Sequence, residues 1–271
     1  MVEKYVKDRG PSPVKWIFLA VFAALFVADI WFVASGRSGG PDDGLLAVFV
    51  NMRDDALTVF FRAVTFCGDQ ATVIALCILI IALPGRMKVG LPVALMTAAG
   101  ALVQSVLKEM FARPRPDAEY WLVGDTDWLG FSLGYSFPSG HANTSMIFWV
   151  ALMILTGRIL IMQENRLAAV LLRVVFFLFA LLVGISRLYL GVHYLSDVFA
   201  GWMLAGLLLI IFFSLYDNFW PSKWRVTYDK RAWDAMPRGS EKKRRWRKPV
   251  KKRAPSELLK FPKKRAPWKL K

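Results

Sequence analysis

Apolar residues in this chain gather into long runs separated by short polar stretches. Six runs stand out, at residues 16–34, 71–84, 89–107, 142–157, 167–185 and 194–216. A helix needs about 20 residues to cross a bilayer, so the second and fourth runs must borrow from their flanks. The pattern predicts an all-α, polytopic membrane protein with six transmembrane helices. Between the first two runs, "LLAVFVNMRDDALTVFFRAVTF" alternates apolar and charged residues in helix-sized blocks. That stretch predicts one or two interfacial helices lying against the membrane. There is no internal repeat.

Charge divides the chain further. The net charge is +16 over 271 residues. Residues 1–220 carry 16 basic and 16 acidic side chains, whereas residues 221–271 carry 20 basic and 4 acidic ones. The expected organisation is a cytoplasmic segment 1–15, a six-helix body 16–220 and a basic tail 221–271. Lys4, Lys7, Arg9 and Lys15 precede the first run, Arg86 and Lys88 follow the second, and Arg158 and Arg166 follow the fourth. With six spans these groups and the tail share one side, which the distribution of lysine and arginine predicts to be the cytoplasm. The predicted location is a cell (inner) membrane with both termini inside. Asp42, Asp43, Asp54, Asp55, Asp69, Asp117, Glu119, Asp125 and Asp127 fall in the opposite loops. Two charges lie within spans, Asp29 and Arg173. Each is expected close enough to an interface to snorkel or pair. Cys67 and Cys77, about 15 Å apart if on one helix, read as free thiols.

Some cations on the acidic side lack an evident purpose there: Lys108, Arg113, Arg115 and Arg187. Both histidines of the chain open spans on that same side, His141 in "YSFPSGHANTS" and His193 in "SRLYLGVHYLSD". Three hairpin ends thus bring cations and hydrogen-bond donors to one face, where they can converge on one anion. Phosphoryl transfer is the chemistry such a set supports, because its catalysis is mostly positioning and charge stabilisation. Lys108, Arg115 and Arg187 supply positive charge, the arginines with a geometry suited to paired oxygens. Ser139 and the Gly140 N–H stand just before a helix, where free N–H groups and the dipole favour an anion. His193 and Asp197 are one helical turn apart, so the carboxylate can fix the ring tautomer and leave the other nitrogen to attack phosphorus. His141 then serves as the acid for the leaving oxygen and the base for water. Taken singly, each feature has a plainer reading: a surface pair, a helix cap, prolines that end a helix. Their conjunction on one face favours the chemical reading.

These residues closely resemble the type-2 phosphatidic acid phosphatase superfamily. Its first motif, Lys, six residues, Arg-Pro, is matched by Lys108, Arg115 and Pro116. The second, Pro-Ser-Gly-His, is matched by Pro138 to His141, and the third by Ser186, Arg187, His193 and Asp197. The resemblance covers roughly residues 60–216. It implies a phosphohistidine on His193 oriented by Asp197, His141 as the acid, and phosphate held by Lys108, Arg115, Ser139, Gly140 and Arg187. It also implies no metal and no cofactor, six helices, and a site facing away from the cytoplasm. Arg113 lies outside the motifs and receives no role. Membrane members act on lipid monophosphates or diphosphates; undecaprenyl diphosphate and phosphatidylglycerol phosphate are favoured here, with phosphatidate or lipid A phosphate as alternatives. Two rivals are a vanadium haloperoxidase, which the six spans oppose, and a non-catalytic lipid-binding or transport relative, which the intact histidines oppose.

Residues 117–137 form an aromatic, acidic loop suited to a wall or lid over the site. The tail interrupts its lysines and arginines with prolines, so it cannot form one long helix. It reads either as a solvated tail or as a segment lying on anionic lipid headgroups, at about 1 kcal/mol per cation near the surface. Nucleic acid is the weakest partner, because the tail is tethered to a membrane.

Overall fold

The computed structural model describes residues 13–123, 134–163, 165–221 and 224–226. The expectations for the N-terminal segment, the middle of the acidic loop and the basic tail lie outside the described residues. Within them, α1 spans Pro13–Ala34, α2 Gly39–Asn51, α3 Asp55–Phe66 and α4 Gln70–Ala82. Then follow α5 Met87–Phe111, a 3₁₀ turn Ala118–Tyr120, α6 Gly140–Met162, α7 Arg166–Tyr189 and α8 Leu195–Phe219.

Local chemistry sets many of the ends. Pro13 opens α1, where its missing N–H costs nothing. Side chains of Asp54, Asp69 and Asn165 accept hydrogen bonds from Leu57 N, Ala71 N and Ala168 N, which caps α3, α4 and α7. Ala112 adopts a left-handed φ of 44° and closes α5, ahead of Pro114 and Pro116.

Five helices, α1 and α5 to α8, are long and apolar enough to cross a membrane. A sixth span exists if α3 and α4, bent by 53° at their junction, count as one. The 13 residues of α4 rise about 20 Å, short of a hydrocarbon core of about 30 Å. The second apolar run is therefore too short to span alone and crosses only if it is joined to α3. The charged stretch before it forms two separate helices, α2 and α3, the second of which belongs to the bent pair.

α6 is the hub, packing on α5, α7 and α8. Within its apolar window 61% is buried, against 6% for α1, which lies on the outside against α8. Ile147, Phe148, Ala151 and Leu155 of α6 are wholly buried. Leu102, Val106 and Met110 of α5 and Leu167 of α7 are exposed, an apolar surface suited to lipid. Gly201 lets α8 close on the start of α6, since a Cβ there would lie 2.8 Å from the Ser139 carbonyl oxygen. That contact seats the Pro-Ser-Gly-His turn on the helix bearing Asp197.

The two intramembrane charges differ. Arg173 is half-buried, its guanidinium packed near Gly157 of α6. Asp29 departs from the expectation: it is 7% exposed and its Oδ2 has no hydrogen-bond partner among the described residues. It neither snorkels nor uses that oxygen in a pair, because its face of α1 is the one covered in the bundle.

Candidate active site

Antiparallel succession of α5, α6, α7 and α8 brings Lys108, the Ser139–His141 turn, Arg187 and His193 to one end of the bundle. His193 sits in the short turn between α7 and α8, with 2% of its side chain exposed. Arg115 Nη1 lies 3.1 Å from its Nε2. A guanidinium can only donate, so Nε2 carries the lone pair and Nδ1 the proton. Nδ1–H points at Ser136 Oγ, 3.2 Å away, and the Ser136 hydroxyl in turn donates to Asp197 Oδ2. Asp197 Oδ2 also stands 3.4 Å from Nδ1. The carboxylate lies beside the imidazole, with a serine hydroxyl as the close link.

Burial, followed by the charges of Arg115, Lys108 and Arg187 and the nearby His141, holds the His193 imidazole well below its ordinary value of 6.5. It is neutral at pH 7, the form whose nitrogen can attack. Burial also pulls Arg115 down, to about 10, while Asp197 acts in the other direction; the guanidinium stays charged.

Asp197 is completely buried and saturated with donors. Its Oδ2 accepts from the Tyr194 N–H at 2.8 Å, which also starts α8. Its Oδ1 accepts from Arg113 Nη1 at 2.6 Å. Arg113 reaches across to Asp42 Oδ2 of α2 at 2.8 Å, and stacks on the Tyr194 ring at 4.5 Å. Ser196 completes the knot, its hydroxyl donating to Asp42 Oδ2 at 2.6 Å and its N–H to Asp42 Oδ1 at 3.0 Å. For Arg113, burial is outweighed by Asp197 and Asp42, so it is held above its ordinary value.

The remaining motif residues ring the same end. Lys108 Nζ donates to the Tyr135 carbonyl at 2.6 Å, and Arg115 donates to the carbonyls of Gly134 and Val192 at 2.9 and 2.7 Å. The Lys108 ammonium has further N–H donors beyond this bond. Ser139 Oγ and Arg187 Nε are buried and have no hydrogen-bond partner among the described residues. Two buried donors without acceptors inside one cationic cluster suit an anion with several oxygens. Gly140 lies against Gln104 of α5, whose amide donates to the Pro138 carbonyl at 3.2 Å and supports the turn from below. Arg187 Nη1 donates to Thr65 Oγ1 at 2.8 Å, and His141 Nε2 lies 3.9 Å from Asp69 Oδ1.

Part of the acidic loop forms a wall beside this cluster. Arg53 donates to the carbonyls of Tyr120 and Tyr189, Arg62 to that of Leu122, and Leu122 N–H bonds Leu190 O at 3.0 Å. Residues 118–122 are thereby strapped to α3 and to the turn that carries His193.

Sequence reasoning named every motif residue but missed their supports: Ser136, Arg113, Asp42, Gln104, Thr65 and Asp69. Asp42 and Asp69 were counted as loop acids; both instead face site residues. An unexplained arginine two residues before the Arg-Pro pair was the available signal for Arg113.

A membrane-type bundle that holds a neutral imidazole inside a ring of cations at one end has the plan of a phosphoryl-transfer enzyme. Comparison with known proteins agrees. The PAP2 superfamily profile matches residues 89–221. Phosphatidylglycerophosphatase B of Bacillus subtilis (strain 168) is 30% identical over 181 residues, which is 65% of this chain and 83% of the relative. Lipid A 1-phosphatase of Rhizobium etli is 34% identical over 107 residues, covering 39% of this chain and 40% of that protein. The crystal structure of a transmembrane PAP2-type phosphatidylglycerolphosphate phosphatase from Bacillus subtilis superposes with a TM-score of 0.62 at 24% identity, over 73% of this chain and 96% of that one. The chain belongs to the PAP2 superfamily, as a membrane lipid phosphatase.

Proposed function

We propose that this protein hydrolyses a phosphomonoester or diphosphate of a membrane lipid in two steps, through a phosphohistidine on His193. One observation carries the reading. The buried His193 has its Nδ1 proton directed through Ser136 to Asp197, while its Nε2 lone pair faces Arg115 among the cations. In the first step Nε2 attacks phosphorus, the N–P bond forms and the bond from phosphorus to the lipid oxygen breaks. His141 gives its proton to that oxygen. In the second step water attacks phosphorus, its proton passes to His141, the N–P bond breaks and inorganic phosphate leaves. Lys108, Arg115, Arg187, Ser139 and the Gly140 N–H hold the equatorial oxygens throughout.

Phosphatidylglycerol phosphate and undecaprenyl diphosphate are the favoured substrates; the 30% identity to a phosphatidylglycerophosphatase supports the first. Phosphatidate and lipid A phosphate are the alternatives by the same route. The asymmetry of lysine and arginine supports a site facing away from the cytoplasm, with both termini inside. The basic tail is proposed to rest on anionic headgroups, which binding of a tail peptide to anionic vesicles at low salt would test.

Phosphate release by purified protein in detergent is the direct assay. We expect activity that survives excess chelator, is inhibited by vanadate and falls about 10⁴-fold or more in His193→Ala. Full turnover by that variant would remove the nucleophile.

A further inference from the structure

The junction between α3 and α4, residues 67–69, meets the site from a region that precedes the family match at 89. It is wedged between α6 and α7. A Cβ on Gly68 would lie 2.1 Å from Val183 Cγ1 and 3.5 Å from Ser145 Cβ. Those contacts are one helical turn from Arg187 and His141 respectively. Two side chains flank the wedge. Thr65 accepts from Arg187, and Asp69 Oδ1 stands 3.9 Å from His141 Nε2, within ion-pair distance. Asp69 Oδ2 is anchored by the Ala71 N–H at 3.1 Å, so the cap that starts α4 also aims the carboxylate.

His141 has a difficult electrostatic task. Arg187 from α7, Lys108 from α5 and Arg115 from the loop after α5 all face it, and His193 lies nearby. Three cations oppose the extra positive charge that an acid imidazole must carry. A carboxylate at 3.9 Å offsets that repulsion.

We propose that Asp69 is the positioning residue of the leaving-group step, the partner that orients His141 and stabilises its imidazolium. This rests on the phosphohistidine reading above. The proton moves from His141 to the departing lipid oxygen in the first step, and from water back to His141 in the second. The bend between α3 and α4 is then the device that delivers a carboxylate to the acid.

The test uses the full chain in detergent with two substrates, an alkyl lipid phosphate and p-nitrophenyl phosphate. Nitrophenolate departs without a proton, so it does not need the acid. Asp69→Asn keeps a competent helix cap and removes the charge. The expected result is a loss of roughly tenfold or more in kcat on the lipid, with less than about a threefold change on the aryl ester. The alkaline limb of the kcat profile moves to lower pH, because the imidazolium has lost its counter-charge. Asp69→Glu recovers part of the lipid rate. An unchanged lipid rate and alkaline limb in Asp69→Asn, beside an inactive His193→Ala, would overturn this proposal alone. So would an equal loss on both substrates, which marks a merely structural role. Full turnover by His193→Ala would remove the phosphohistidine reading and this proposal with it.

Discussion

His193 lies against Asp197 with 2% and 0% of the two side chains exposed, whereas His141 lies against Asp69 with 19% and 14% exposed. The first pair is closed. Asp197 accepts from Ser136, Tyr194 N–H and Arg113, and a second carboxylate, Asp42, balances the arginine. The second pair is open, with one carboxylate oxygen anchored by a helix cap and an ion-pair contact at 3.9 Å. The contrast fits the chemistry each imidazole is proposed to perform. A nucleophile profits from a fixed tautomer and a lone pair that never wavers in direction. An acid must gain and lose a proton every cycle, so its partner has to favour the charge without trapping it.

The comparison can be broken from either side. Asp197→Asn preserves shape but removes the charge that holds the His193 tautomer, and kcat for phosphate release should fall by about 10³- to 10⁴-fold. A loss no larger than that of Asp69→Asn would erase the distinction between the pairs. Arg113→Met leaves Asp42 and Asp197 buried without their shared cation, at a cost of about 3–5 kcal/mol in stability. Thermal unfolding in detergent reads this, and Arg113→Lys should recover part of it. Ser136→Ala removes the hydroxyl link while leaving Asp197 3.4 Å away, and kcat should fall about tenfold. Thr65→Val removes one hydrogen bond to Arg187 and should raise KM about fivefold with kcat nearly constant.

Acid pH sharpens the same contrast. His193 is held well below 6.5 by burial first and by the surrounding cations second. The free enzyme therefore loses the proposed nucleophile only in acid, and the acidic limb of kcat/KM should lie below pH 6.5. The unfolded chain takes up that proton first as pH falls. The stability contributed by a neutral buried His193 is thus fully present above about pH 6.5 and declines below it.

Apolar runs were enough to find the long helices, because length and composition alone decide whether a segment can cross a bilayer. The bend near Gly68 was not legible, since a wedge against Val183 is a tertiary contact with no local signature. The ends shifted for a related reason. The fourth run was placed at 142–157, yet α6 runs Gly140–Met162, because Ser139 and Gly140 start it and Arg158 finds Asp217 of α8 at 2.7 Å instead of ending it. Motif residues could be named because phosphate chemistry restricts their types and spacing. Ser136 and Asp42 could not, because an ordinary serine or a loop acid acquires its role only from what the fold sets beside it.

Lys108 stands in the last turn of α5, the same helix that turns Leu102, Val106 and Met110 outward from another face. In the proposed reaction a lipid substrate keeps its chains in the acyl layer while its phosphate enters the cation ring, which makes the encounter a lateral, two-dimensional search. The quantity that saturates such an enzyme is the mole fraction of substrate in the surface. Adding inert phospholipid at constant bulk substrate should therefore slow turnover by dilution alone.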